Sequence, residues 1–420
     1  MTTPPRQRRS LTHVGGETQL AGDADDAERL KEALDVPIPD PEATGDDAQR
    51  AHVHGFHTYP ARMHPLTASR LVRAFTPERG TVLDPFCGSG TVLVEAMIAG
   101  RDAIGTDLNP LAVRLARSKT RPRDADELER LVDAARGCAQ LADERRKARA
   151  GATRRLPPED VALFDPHVLL ELDSLRSALD QLAPEMRADL SLVLSALLVK
   201  LSRKRGDTSD EVAPRRIAAG YTAKLFVRKT EELARRLEEF TRLLPRPVPR
   251  VDVAVDDATR MRTLQAHARG GARDRPRIDA IVTSPPYVGT YDYVAHHAIR
   301  LRWLGLDANP FEQAEMGARR NYAALDATAA TEAWSSELAT FFSAAARVLG
   351  RGAPMVLLMA DSAIGRDALR ADAIVAAVAR TTGFLPAALA SQPRPHFHGA
   401  TQPAFRDEPR AEHALLLRRA

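Results

Sequence analysis

Cysteine is scarce in this chain: two residues among 420, Cys87 and Cys138. Two thiols can build neither a disulfide framework nor a four-ligand zinc site, so a cytoplasmic protein with reduced thiols and no bound metal is expected. Long apolar runs are missing as well. No stretch approaches the roughly 18–20 apolar residues of a membrane span. The arginines near the N-terminus are followed by no apolar segment of the kind a secretory signal needs. Net charge is only +4, which by itself says little about partners. Hydrophobic residues at 44% allow a sizeable core, while 28% charged residues fit a soluble protein. Neither internal repeats nor, beyond the N-terminal tail, low-complexity tracts are present.

The placement of charge says more than its total. Between Lys200 and Lys229 nine Lys and Arg face three Asp and Glu. A local surplus of this kind suits phosphate binding, because each neutralised phosphate releases counterions; it also suits a solvated helical face.

Four regions differ in texture. Residues 1–50 are rich in Pro, Gly, Asp, Thr and Arg and read as a disordered tail, with one short helix near Ala27–Leu34. Residues 51–120 contain an apolar strand, a glycine-rich turn, a helix ending at Gly100, a strand ending at Asp107 and another helix. Residues 121–248 carry helical periodicity almost without strand signals and read as a helical insertion, a possible nucleic-acid-binding subdomain. Strand texture returns in residues 249–420, at PRVDVAVDD, IDAIVTSPPY, APMVLLMADS, GFLPAALAS and EHALLLRR. Helices near Glu332–Leu349 and Asp367–Thr381 separate the last of these. Alternating strands and helices imply an α/β fold with a mostly parallel sheet covered on both faces.

Two motifs carry chemistry. In TVLDPFCGSGT a strand runs into Asp84, turns through Gly88 and Gly90, and opens a helix at Thr91. This is the nucleotide-binding corner of a doubly wound sheet. Glycines let a ligand approach the loop amides, and the helix N-terminus favours a carboxylate. Asp107, at the end of the next strand, is placed to accept hydrogen bonds from ribose hydroxyls. The second motif, TSPPY, follows the apolar strand Ile278–Val282. Consecutive prolines remove two N–H donors and stiffen the backbone. An amine conjugated to a ring attacks an electrophile once acceptors hold its hydrogens, a task suited to Ser284 and the Pro285 carbonyl. Pro286 fixes the turn, and Tyr287 offers a face on which an extruded base can stack. Alignment at near-attack distance supplies the rest of the catalysis.

These motifs resemble those of the DNA methylase N-4/N-6 family, in which DPF-x-GSGT is the cofactor motif and [DNS]PP[YFW] the catalytic one. The resemblance covers residues 52–120 and 250–420. It implies a Rossmann-like class I methyltransferase with a seven-stranded, mostly parallel sheet, S-adenosyl-L-methionine as cofactor and DNA as partner. HTYPARMHP resembles the segment that closes over the cofactor's methionine part, implicating His57, Tyr59 and Pro60. By the same likeness Phe86, Gly88, Gly90 and Thr91 belong to the cofactor loop. Asp84 faces the cofactor's amino group, Asp107 its ribose, and Asp256 or Asp257, with Asp257 preferred, its adenine. Tyr291, Asp292 and Tyr293 fall near the pocket. The chain departs from the family in motif order, cofactor before catalytic, and in an insertion that precedes the third strand.

The implied activity is methylation of cytosine N4 or adenine N6 in a flipped base, in the manner of restriction-modification enzymes. Ser284 in the first catalytic position leans towards cytosine. An RNA base amine is the alternative substrate, and a non-catalytic cofactor-binding module is a third reading. One strand, Glu412–Leu417, is expected to run antiparallel to the rest. The insertion is expected to form a wall of the nucleic-acid cleft, with the Lys200–Lys229 side chains turned towards Ser284 and Tyr287. His296 and His297 are expected to be surface or packing residues, and His396 and His398 to lie in a loop.

Overall fold

A computed structural model describes residues 16–36, 48–206, 211–264, 277–396 and 399–420. His398, and the parts of the expected tail at 1–15 and 37–47, lie outside the described residues. In chain order the first elements are β1 (Gln19–Gly22), α1 (Ala24–Leu34), α2 (Pro65–Phe75), β2 (Thr81–Asp84), α3 (Thr91–Ile98), β3 (Asp102–Asp107) and α4 (Pro110–Thr120). A run of helices follows: α5 (Ala125–Lys147), α6 (Pro158–Leu163), α7 (Pro166–Leu179), α8 (Pro184–Leu201) and α9 (Tyr221–Leu243). Then come β4 (Val251–Val255), β5 (Ala280–Thr283), α10 (Tyr293–Trp303), α11 (Asn309–Ala314), α12 (Arg319–Tyr322) and α13 (Ala327–Val348). The chain closes with β6 (Pro354–Ala360), the hairpin β7 (Ser362–Ile364) and β8 (Asp367–Leu369), α14 (Ala371–Thr381), β9 (Phe384–Pro393) and β10 (Ala411–Arg419).

The sheet order is β1-β9-β10-β6-β5-β2-β3-β4. The five strands from β4 to β6 pair in parallel, and β10 runs antiparallel to both β6 and β9. The reversed strand β10 is thus the one expected around Glu412–Leu417, and β1 is a second reversed strand that was not expected.

Two expectations need correction. The sheet has eight strands rather than seven, because β1 pairs antiparallel with β9 through Ala388–Ser391. The described part of the 1–50 segment is therefore folded, not a free tail. Its four-residue strand is fully exposed and carries no alternation to betray it; backbone pairing alone holds it. The helix after it is capped by Asp23, which accepts from the Asp26 amide, and buries Ala27, Leu30, Ala33 and Leu34. Those apolar positions are legible as a short helix, but what they pack against is not.

Alternation along the central strands builds two cores, as expected where both sheet faces are covered. Val82, Val282, Val356 and Leu358 face α1, α2 and α3, meeting Leu30, Leu71, Val72 and Leu93. Leu83, Ile281, Met355 and Leu357 point the other way, against Trp334, Phe341 and Phe342 of α13 and Val375 of α14. Gly105 in β3 is required for close packing, since a Cβ there would stand 2.5 Å from Leu93 Cδ1.

A third core fills the helical region. Leu131, Leu172, Leu198, Phe226 and Leu237 pack in one cluster with Val94 and Met97 of α3, Leu111 and Leu115 of α4, and Trp303 of α10. The inserted helices thus share a core with the sheet-covering helices. Local signals fix their starts: Asp124 and Glu127 form a reciprocal capping box at α5, and α6, α7 and α8 each have proline in the first turn.

Candidate active site

The glycine loop sits where β2 ends. Gly88 adopts φ +49° and Gly90 φ +85°, the left-handed region that side chains rarely enter. A Cβ at Gly88 would come 3.3 Å from the Tyr59 ring, and one at Gly90 would come 3.0 Å from the Ala116 Cβ of α4. One glycine therefore lets Tyr59 lie on the loop, and the other lets α3 and α4 close. Asp107 staples the loop from β3: Oδ2 accepts from the Gly88 amide at 2.9 Å and Oδ1 from the Asn109 amide at 2.8 Å. Asn109 caps α4 and donates through Nδ2 to the Tyr59 hydroxyl at 3.2 Å.

Asp84 ties the two motifs together. Its Oδ1 accepts from the Phe86 amide at 3.2 Å and from the Thr283 hydroxyl at 2.6 Å. Thr283 is the last residue of β5, so this bond fixes the start of SPPY against the end of β2. Burial pushes the Asp84 carboxyl up to about 7, against the hydrogen bonds that favour its ionised form. Burial likewise raises Asp107 to about 6, opposed by the Asn109 and Gly88 amides.

Three cavities meet at Ser284. One, of about 80 Å³, lies among Tyr59, Phe86, Gly88, Asp107, Asp256, Asp257 and Pro286. A second, of about 40 Å³, runs under the loop past Asp84, Ser89 and Thr91. The third, of about 560 Å³, opens on the far side past Pro285 and Tyr287 to Tyr291 and Tyr293. Ser284 lines all three. Its Oγ is 3.4 Å from the Tyr287 hydroxyl, whose ionisation burial disfavours. Gly289 and Gly317, both at positive φ, let the following chain fold over this turn, with the Gly289 amide donating to the Gly317 carbonyl at 3.0 Å.

The two strand-end acids differ. Asp256 is buried and fully occupied, its Oδ2 accepting from the Thr263 amide at 2.7 Å and from its hydroxyl. Asp257 holds Thr259 through Oδ1, at 2.8 Å from the amide, and both acids line the 80 Å³ cavity. His57 lies behind Tyr59 and lines none of the three cavities. Its Nδ1 donates to the Thr58 carbonyl at 2.7 Å, and its Nε2 accepts from Ser195 of α8 at 3.1 Å; burial holds this ring neutral. Pro60 and Gly90 also line none of the three.

Several residues come into the site that the motifs did not indicate. His297 is buried and stacks on Tyr59, with centroids 4.8 Å apart and an interplanar angle of 24°. Glu315 lines the 80 Å³ cavity and accepts from the Tyr293 amide at 2.6 Å. Arg62, His64, Arg319, Arg394 and Arg410 line the larger cavity. Arg62 and His64 belong to the HTYPARMHP segment, whereas Arg319, Arg394 and Arg410 are distant from either motif in sequence. His396 also lines it, with Nε2 2.6 Å from Thr401 Oγ1.

The expected role of the Lys200–Lys229 stretch is corrected. Among the described residues none of it lines the cavities at Ser284. Arg203 binds Asp165 at 2.8 Å, Arg215 holds the Lys200 and Lys204 carbonyls, and Lys229 pairs with Glu232 at 2.9 Å and lies over the Phe56 ring. These cations are used to join α8, α9 and their neighbours, an outcome that composition cannot distinguish from phosphate binding.

Among the described residues, two clusters bring possible metal ligands together: His52, His54 and Glu95, and Asp361, Asp372 and His413. In the first, His54 Nε2 already bonds Glu95 at 2.8 Å, and the charges of Lys119 and Arg62 act on His54. In the second, Asp361 is engaged by Arg370, His413 and the amides of Ala371 and Ala411. Both surroundings disfavour a cation.

A parallel sheet with a reversed C-terminal strand, a glycine loop after a central strand and an acid at the end of the next strand define a Rossmann-like α/β fold. Residues 25–118 match the family model described as DNA methylase. The chain is 40% identical over 82 residues to the type II methyltransferase M.MvaI of Kocuria varians, covering 19% of this chain and 18% of that one. Over 81 residues it is 32% identical to the type II methyltransferase M.MjaII of Methanocaldococcus jannaschii, covering 19% and 15%. The matches thus span less than a fifth of either relative. Among solved structures, the rRNA methyltransferase AviRa of Streptomyces viridochromogenes aligns over 89% of this chain and 92% of its own, at 14% identity and TM-score 0.34. TrmN of Thermus thermophilus aligns over 85% and 49%, at 13% identity and TM-score 0.31. No described helix is long and apolar enough to cross a membrane.

Proposed function

We propose that this protein transfers a methyl group from S-adenosyl-L-methionine to the exocyclic amine of cytosine (N4) or adenine (N6) in a base turned out of DNA. The observation that carries the reading is the position of Ser284 at the meeting point of a glycine-loop cavity and a larger open one. The donor set suits the cofactor. Asp107 and Asp257 present carboxylates for ribose and adenine, and the buried Ser89 Oγ has no protein partner among the described residues. Tyr59, fixed by Asn109 and His297, covers the loop. The bound cofactor supplies the electrophilic methyl group.

The chain's own residues do the remaining work. The Ser284 hydroxyl and the Pro285 carbonyl accept the hydrogens of the target amine, which frees its lone pair from the ring. Tyr287 stacks on the extruded base. Thr283, held by Asp84, keeps this turn in register with the glycine loop, so that alignment is built before substrate arrives. Asp84 takes the cofactor's amino group and Phe86 its apolar surroundings.

The test is incubation of the purified chain with methyl-labelled cofactor and separate DNA, RNA and protein acceptors, followed by digestion to nucleosides. N4-methylcytosine or N6-methyladenine from DNA supports the reading and decides the base. Label confined to RNA overturns it, and cofactor binding without transfer to any acceptor points to a binding module. Tyr287→Ala is expected to lose most turnover while keeping cofactor affinity; equal loss of both would mean that TSPPY is structural.

A further inference from the structure

A cleft of about 730 Å³, larger than any of the three cavities at Ser284, opens between α4, α7, α8 and the end of α10. Six arginines line it: Arg114, Arg117, Arg121, Arg123, Arg176 and Arg187. Three carboxylates accompany them, each beside one arginine, with Asp180 4.0 Å from Arg176. Asp189 pairs with the buried Arg123, and Glu185 lies 3.3 Å from Arg121. Arg117 is held by the neutral Val253 carbonyl at 2.8 and 2.6 Å, so no acid balances its charge. Arg114, half-buried, feels Arg187 and Arg117 as its nearest charges, and burial with this repulsion lowers its proton affinity. No ion pair of Arg114 or Arg187 is formed among the described residues.

Guanidinium groups facing one another without an acid destabilise the unliganded fold and fit an anion that can take several donors at once. The cleft is connected to the active site by α10, which begins at Tyr293 in the larger cavity and ends at Trp303 in this one. Ten residues of helix span about 15 Å, roughly four base-pair steps of 3.4 Å. A free phosphate would occupy one pair of arginines; a polymer of phosphates uses the row.

We propose that this arginine cleft holds the phosphodiester backbone of duplex DNA a few base pairs from the base in the active site. The proposal rests on the function proposed above for its choice of polymer. It also moves the nucleic-acid surface of the helical region from the Lys200–Lys229 stretch to the opposing faces of α4 and α8.

The test uses the full chain and a fluorescently labelled duplex, with binding followed by anisotropy across a salt series. The Arg114→Gln/Arg187→Gln variant is expected to bind about tenfold more weakly. Its dependence of log affinity on log salt should be shallower by about 1.8, two phosphates at about 0.9 each. Affinity for S-adenosylhomocysteine and melting temperature should not fall. Arg187→Gln alone, at an exposed position, should lower the slope by about 0.9, and Arg114→Lys/Arg187→Lys should restore it. Unchanged DNA affinity and slope, an equal loss of cofactor binding, or competition by inorganic phosphate at concentrations that leave the salt slope unaltered would overturn the proposal. Tighter binding of duplex RNA through the same arginines would overturn the assignment to DNA. DNA binding that depends on these arginines, without methyl transfer to DNA, would refute the proposed activity and leave the cleft assignment standing. Methyl transfer to DNA indifferent to both variants would do the reverse.

Discussion

Asp84 offers the sharpest test of how the site is built. Its carboxyl titrates near 7 in the folded chain against 3.8 for the ordinary group, with burial as the main cause. The folded state therefore binds a proton there between these values while the unfolded chain does not. Stability from this group is complete below pH 3.8 and is lost as pH rises to about 7. A shift of about three units corresponds to roughly 4 kcal/mol. Asp84→Asn keeps an oxygen that can accept from Phe86 and Thr283 but carries no charge to desolvate. Urea unfolding of both proteins from pH 4 to 8 is expected to show the variant gaining on the wild type, from near zero at pH 4 to a few kcal/mol at pH 8. The carboxylate that destabilises the fold is the one proposed to take the cofactor's amino group. Calorimetry with S-adenosylhomocysteine should thus show wild-type affinity falling as pH drops below 7, with Asp107 adding a second fall near 6. The variant should bind more weakly at pH 8 and lack the upper limb. A stability difference that is flat with pH, or that shrinks as pH rises, would refute the assignment of Asp84 as a desolvated acid.

Three further outcomes follow from packing and hydrogen bonding. Gly90→Ala combines a left-handed φ with a Cβ 3.0 Å from Ala116; strain of about 1–2 kcal/mol and overpacking of about 1–3 kcal/mol should lower the thermal midpoint. An unchanged midpoint would mean that α3 and α4 part easily. Leu30→Ala should cost about 2–5 kcal/mol, measured by denaturant unfolding, since Leu30 is wholly buried; a loss below about 0.5 kcal/mol, the ordinary surface range, would show that the N-terminal helix is not part of the core. Tyr59→Phe removes the hydroxyl that accepts from Asn109 and should weaken cofactor binding by about 0.5–1.5 kcal/mol. Tyr59→Ala, which also removes the ring from the Gly88 loop, should weaken it further, and equal affinities for the two would exclude the ring from the site.

Local pattern was enough for much of this molecule. Apolar runs at Thr81–Asp84, Ala280–Thr283 and Pro354–Ala360 announced buried parallel strands, while the reversed strand at the C-terminus was expected from the family resemblance. Gly88 and Gly90 between a strand and a helix fixed the nucleotide corner, because few residue types tolerate that backbone. TSPPY was legible for the same reason: two prolines permit few conformations, so sequence and geometry are nearly one statement.

Tertiary structure decided what depends on partners distant in the chain. The β1 strand is four exposed residues whose only signal is backbone pairing with β9, a partner more than 360 positions away. His297 and Glu315 join the pocket because α10 and the chain after α11 fold back over the glycine loop. Charge behaved likewise. In the densest basic stretch, Lys200–Lys229, Arg203 and Lys229 pair with acids, while Arg114 and Arg117 on α4 and Arg187 on α8 meet in one cleft. A sequence counts charges along a line; whether an arginine meets a carboxylate, a carbonyl or another arginine is settled only when helices pack.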